Sequence, residues 1–102
     1  MRYGLPDEDI EQIVKAIATM PKVSCVTLFG SRAMGTYRAG SDIDLAIAGE
    51  GITFNDISDI YTSLERLGML YSFDLQNIAS ITDNALLDHM DRVGKVLFRR
   101  EG

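Results

Sequence analysis

The stretch that decides the fold is LFGSRAMGTYRAGSDIDLAI, Leu28 to Ile47. Two acids, Asp42 and Asp44, stand in an apolar run ten residues after the Gly30-Ser31 pair. Upstream, KVSCVTLF is rich in β-branched and apolar residues and reads as a strand. DIDLAIAG, from Asp42 to Gly49, reads as a second strand. Between them GSRAMGTYRAGS carries three glycines and reads as a turn, with a short helix expected from Ser31.

Alternate residues of a strand share a face at a spacing of about 6.6 Å. Asp42 and Asp44 are therefore expected to project together, while Ile43 and Leu45 point into the core. Like charges side by side raise each other's energy unless something neutralises them. A divalent cation does so, and Mg²⁺ favours one or two carboxylates completed by phosphate oxygens and water. Gly30 permits a tight turn where backbone can approach a ligand. Ser31 would begin a helical turn whose N–H groups and hydroxyl can hold a phosphate. A third acid, Asp74, sits between Phe73 and Leu75 in another expected strand, MLYSFDLQNI. A neighbouring strand can bring it beside the other two. Three carboxylates can hold two metals about 3.5–4 Å apart. A cap on a turn is the simpler explanation for the pair, but it leaves Asp44 unexplained among Ile43, Leu45 and Ile47.

Working outward, Pro6 with Asp7, Glu8 and Asp9 makes a helix start, and Ile10, Ile13, Val14 and Ile17 recur at helical spacing. Pro21 is expected to end that helix. Thr53 and Asp56 resemble a capping box ahead of Phe54, Ile57, Ile60, Tyr61, Leu64 and Leu67. Thr82 and Asp83 open a third helix bearing Leu86, Leu87, Met90 and Val93, Gly94 ends it, and KVLF follows as a short last element. The order predicts an α/β (α+β) domain, a small mixed sheet flanked by helices. No repeat or linker divides the chain, so residues 1–102 are expected to form one domain.

The 102 residues are 46% hydrophobic and 25% charged, as in ordinary globular domains. A net charge of −5 argues against a surface that neutralises many nucleic-acid phosphates. It does not exclude a nucleotide, because a metal supplies the compensating charge. The start, MRYGLPDEDIEQ, has no apolar leader, and no apolar run approaches a bilayer's thickness, so a cytoplasmic protein is expected. Cys25 is alone and reads as a small apolar residue.

Gly30-Ser31, ten residues, then Asp42-x-Asp44 resembles the signature of the DNA polymerase β-type nucleotidyltransferase superfamily. GSRAMGTYRAGSDIDLAI is similar to its minimal (MNT) members, with Arg32, Gly35, Arg38, Gly40 and Ser41 filling out the motif and Asp74 matching the third acid. The resemblance implies the nucleotidyltransferase fold in one minimal domain. It also implies attack of a hydroxyl on the α-phosphate of a nucleoside triphosphate, with ATP the expected substrate and two Mg²⁺ ions the expected cofactors. Gly30 and Ser31 would bind the triphosphate, joined by Arg32, Arg38 and Ser41. Asp42, Asp44 and Asp74 would be the catalytic and metal-holding acids. Minimal members are often encoded beside a helical HEPN protein, in pairs similar to toxin–antitoxin systems in which the MNT protein adenylylates the HEPN toxin. The expected activity is thus AMP transfer to a hydroxyl, a tyrosine of a HEPN partner, by an antitoxin. The alternative is a binding module that silences the partner by contact. A domain this small cannot easily enclose both nucleotide and protein acceptor, so an oligomer or partner is expected.

Arg32 and Arg38 could contact phosphate or line a solvated loop, and the sequence leaves both open. His89 has no His or Cys at ligand spacing and reads as structural or surface. DIDLAIAGEGIT lacks the ligands of an EF-hand, and GSRAMGTY lacks the Gly-Lys-Ser/Thr of a P-loop.

Overall fold

The computed structural model describes residues 1–101. The chain forms α1 (Asp7–Ala18), β1 (Val23–Phe29), α2 (Gly30–Met34), β2 (Ile43–Gly49) and α3 (Phe54–Glu65). There follow β3 (Phe73–Asn77), a 3₁₀ turn (Ile78–Ser80), α4 (Asn84–Val93) and β4 (Lys95–Arg99). The strands make one mixed sheet in the order β3-β2-β1-β4. β1 is antiparallel to both β2 and β4, whereas β2 and β3 are parallel, joined through α3.

Alternation within the strands splits the core into two. Ile43, Leu45 and Ile47 of β2 are 0% exposed and pack with Val26 and Leu28 of β1, Ile10, Ile13 and Ile17 of α1, and Ile60 and Leu64 of α3. Burying one such side chain is worth roughly 1.5–3 kcal/mol, so this face sets the register of β2. Ala46 points the other way and packs with Phe29 and with Met90 of α4. Asp44, two residues before Ala46, shares that second face.

Three boundaries differ from those the sequence suggests. Asp42 precedes β2 rather than beginning it. α1 stops at Ala18, short of Pro21, with the Thr19 hydroxyl donating to the Ala16 carbonyl. β3 is shorter than MLYSFDLQNI: it begins at Phe73, and it ends at Asn77, whose side chain accepts the Ala79 N–H and turns the chain into the 3₁₀ segment.

The capping box at α3 is complete: the Asp56 N–H donates to Thr53 Oγ1 and the Thr53 N–H to Asp56 Oδ2. Lys22 Nζ adds a 2.9 Å ion pair to Asp56. Thr53→Ala removes one acceptor from the helix start. The expected outcome in chemical denaturation is a loss of about 1 kcal/mol, with any nucleotide-transfer activity per folded molecule unchanged.

Candidate active site

The parallel ladder pairs Asp44 of β2 directly with Asp74 of β3, and the antiparallel ladder pairs Asp44 with Phe29. Asp44 and Asp74 therefore stand side by side on the face that carries α4. Gln76, two residues along β3, donates from Nε2 to Asp74 Oδ1 at 3.4 Å. Burial pushes the Asp44 carboxyl upward, and the charges of Asp74 and then Asp42 push it further, from 3.8 to about 6. A hydrogen bond to Asp74 adds to the same shift. A protonated His89 would pull the other way. That pull is the smallest of the influences on Asp44.

The acid that acts most strongly on Asp44 thus comes from the neighbouring strand, not from its own. Asp42 is exposed and acts on Asp44 from the end of the preceding loop. Among the described residues no three His, Cys, Asp or Glu side chains converge into a ready-made ion cage. Mg²⁺ does not need one, since it is satisfied by one or two carboxylates when phosphate and water supply the remaining oxygens. Asp44 and Asp74, with Asp42 beside them, offer the hard oxygen donors it takes. A cation would relieve the negative charge that Asp74 and Asp42 crowd against Asp44.

Gly30 closes the site from the β1 side. Its φ is +72°, and a Cβ there would stand 2.1 Å from Asp44 Oδ2. Only glycine allows backbone to pass so close to that carboxylate. The Gly30 N–H donates to His89 Nε2 at 3.1 Å, a bond between residues 59 apart in sequence. His89 also meets Phe29 edge to face, with ring centroids 6.3 Å apart. His89, which reads from the sequence as structural or surface, thus stands at the candidate site, and being the chain's only histidine is its one mark in the sequence. Ser31 follows in the five-residue α2, where its carbonyl accepts the N–H groups of Gly35 and Thr36.

The remaining motif residues separate. Arg32 is 4% exposed, and its guanidinium is engaged by the Ser41 and Tyr3 carbonyls. Arg38 is exposed. Ser41 Oγ accepts the Arg38 N–H at 2.8 Å, and the Ser41 N–H returns to the Arg38 carbonyl at 3.0 Å, closing a turn around Gly40.

A mixed sheet with helices on both faces, reached in this element order, defines a nucleotidyltransferase fold. The family model described as "Polymerase beta, Nucleotidyltransferase" matches residues 11–102, and the chain belongs to that family. No curated protein gives a significant match. Among solved structures, the chain is similar to a toxin–antitoxin complex crystallised with AMP-PNP, with TM-score 0.71 and 24% identity over 95% of this chain and 76% of the other. It is similar to an MntA–HepT toxin–antitoxin complex, with TM-score 0.71 and 21% identity over 93% of this chain and 74% of the other. A tri-AMPylated Shewanella oneidensis HEPN toxin in complex with an MNT antitoxin gives TM-score 0.70 and 22% identity, over 92% of this chain and 72% of the other. At these identities the likeness is one of fold. No helix among the described residues is long and apolar enough to cross a membrane.

Proposed function

We propose that this chain is a Mg²⁺-dependent nucleotidyltransferase that moves AMP from ATP to a hydroxyl of a HEPN partner, acting as its antitoxin. The register pairing of Asp44 with Asp74, beside a Gly30 turn that no larger residue fits, is the observation that carries this proposal. The similar folds that hold AMP-PNP, or that accompany an AMPylated HEPN toxin, support the choice of nucleotide and partner. In this reading residues 1–102 work as one minimal domain in the cytoplasm, and the partner brings the acceptor.

Asp42 and Asp44 would hold Mg²⁺ with the incoming triphosphate, and Asp74 with Asp44 would hold the ion nearest the acceptor. Bound there, Mg²⁺ supplies Lewis-acid neutralisation of the phosphate and of the developing oxygen charges. Gly30 and Ser31 orient the triphosphate along the end of β1. Arg38, exposed on the loop, is free to meet a phosphate, whereas Arg32 is assigned to holding that loop. The acceptor oxygen forms a bond to the α-phosphorus while the bond to pyrophosphate breaks. Asp74 would take the hydroxyl proton.

A purified HEPN partner incubated with the chain, ATP and Mg²⁺ should gain the mass of one or more AMP groups and lose its toxicity. Asp74→Asn should bind nucleotide but leave the partner unmodified. Silencing of an unmodified partner by the unaltered chain would instead identify a binding module.

A further inference from the structure

Residues 1–10 lie outside the family match, yet they reach the candidate site. Arg2 and Leu5 exchange backbone hydrogen bonds at 2.9 and 2.8 Å, closing a turn in which Tyr3 and Gly4 take φ of 57° and 73°. Leu5, 1% exposed, anchors this turn in the main core. Tyr37, from the loop between α2 and β2, lies against Gly4 so closely that a Cβ there would stand 2.4 Å from its ring.

Arg32 links this turn to the site. Its Nη1 donates to the Tyr3 carbonyl at 3.0 Å, while Nε and Nη2 donate to the Ser41 carbonyl at 3.2 and 2.9 Å. Its guanidinium sits between the rings of Tyr37 and Tyr71, 5.5 and 5.7 Å from their centroids. A planar guanidinium holds two carbonyls at a fixed separation, which a lysine ammonium does not. Ser41 directly precedes Asp42, and neither residue belongs to the sheet. The strand ladder that fixes Asp44 therefore does not fix Asp42.

We infer that the N-terminal turn Arg2–Leu5, acting through Arg32, is a positioning element that sets where Asp42 stands relative to Asp44. The functional consequence rests on the nucleotidyltransferase reading, in which Asp42 accompanies the metal–triphosphate.

Two variants test this in the full chain. Arg32→Lys keeps the charge but loses the double tie. Gly4→Ala leaves Arg32 intact and forces Tyr37 away from the turn. In both, amide hydrogen exchange at Arg38 and Ser41, whose N–H groups close the turn before Asp42, should quicken about tenfold while the amides of β1 and β2 keep their protection. The Mg²⁺ concentration for half-maximal transfer should rise about tenfold, the scale seen when the support of a metal ligand is removed. The maximal rate at saturating Mg²⁺ should change much less. A lower melting temperature with an unmoved Mg²⁺ curve would reduce the turn to plain scaffolding and overturn the inference. Were the unaltered chain itself inactive, the nucleotidyltransferase reading would fail on its own. Exchange would then still decide: unchanged rates at Arg38 and Ser41 in both variants overturn the positioning role.

Discussion

Asp44→Asn should leave the free protein more stable at neutral pH and unable to transfer nucleotide. The carboxyl has a folded-state pKa of about 6 against an ordinary 3.8. A raised acid favours the fold in its protonated form. That contribution is fully present below pH 3.8, declines as pH rises toward 6, and is gone above it. Two units would amount to roughly 3 kcal/mol for a shielded group. Asp44 is only partly buried, and solvent screening brings the figure to about 1 kcal/mol. Asparagine carries no charge, so denaturation midpoints of the variant should exceed those of the unaltered chain at pH 7.5. They should also vary less between pH 4 and 6. The same substitution removes the acid nearest both neighbours. Transfer should fall about a thousandfold or more, since the electrostatic stabilisation lost is worth several kcal/mol. Mg²⁺-ATP should raise the melting temperature of the unaltered chain by mass action and barely move that of the variant. A variant less stable than the parent at pH 7.5 would show that Asp44 is not held under charge stress.

Gly30→Ala should damage the site in a different way. The new methyl carbon would fall 2.1 Å from Asp44 Oδ2 and 3.0 Å from its Cγ, in a residue whose φ of +72° already disfavours a side chain. Strain of this kind costs on the order of 1–3 kcal/mol. The carboxylate must also shift from its present place between Gly30 and Asp74, and displacement of a reacting group by about 1 Å can cost a hundredfold in rate. Gly51→Ala is the matched control. Gly51 has φ +69° and no atom within 4 Å of its would-be Cβ, so it carries the backbone strain without the contact. Both variants should lose stability, while only Gly30→Ala should lose transfer, measured at a temperature where each is fully folded. Equal activities in the two would remove Gly30 from the site.

By itself the sequence determined what local periodicity encodes. Alternation in IDLAI sent Ile43, Leu45 and Ile47 to the core and left Asp44 on the opposite face. Thr53 and Asp56 announced the α3 cap three residues apart, and Pro6 with its following acids marked the start of α1. The glycine at the end of β1 and the acids ten residues beyond the Gly-Ser pair were legible as one motif because they lie within one turn of chain. What needed the tertiary structure was every relation across the chain. Asp74 faces Asp44 because the α3 crossover delivers β3 in one parallel register, and a slip of one residue would have turned the carboxylate to the other face. Asp42 lies just outside the strand, which begins at Ile43. His89 reaches Gly30 only because α4 is fixed over the sheet by Met90 against Phe29 and Ala46. Arg32, set in a stretch that reads as an open polar loop, is buried because Tyr3, Tyr37 and Tyr71 converge on it from three separate segments. Such meetings are set by how packed helices and strands stack, and no spacing within a single segment specifies them.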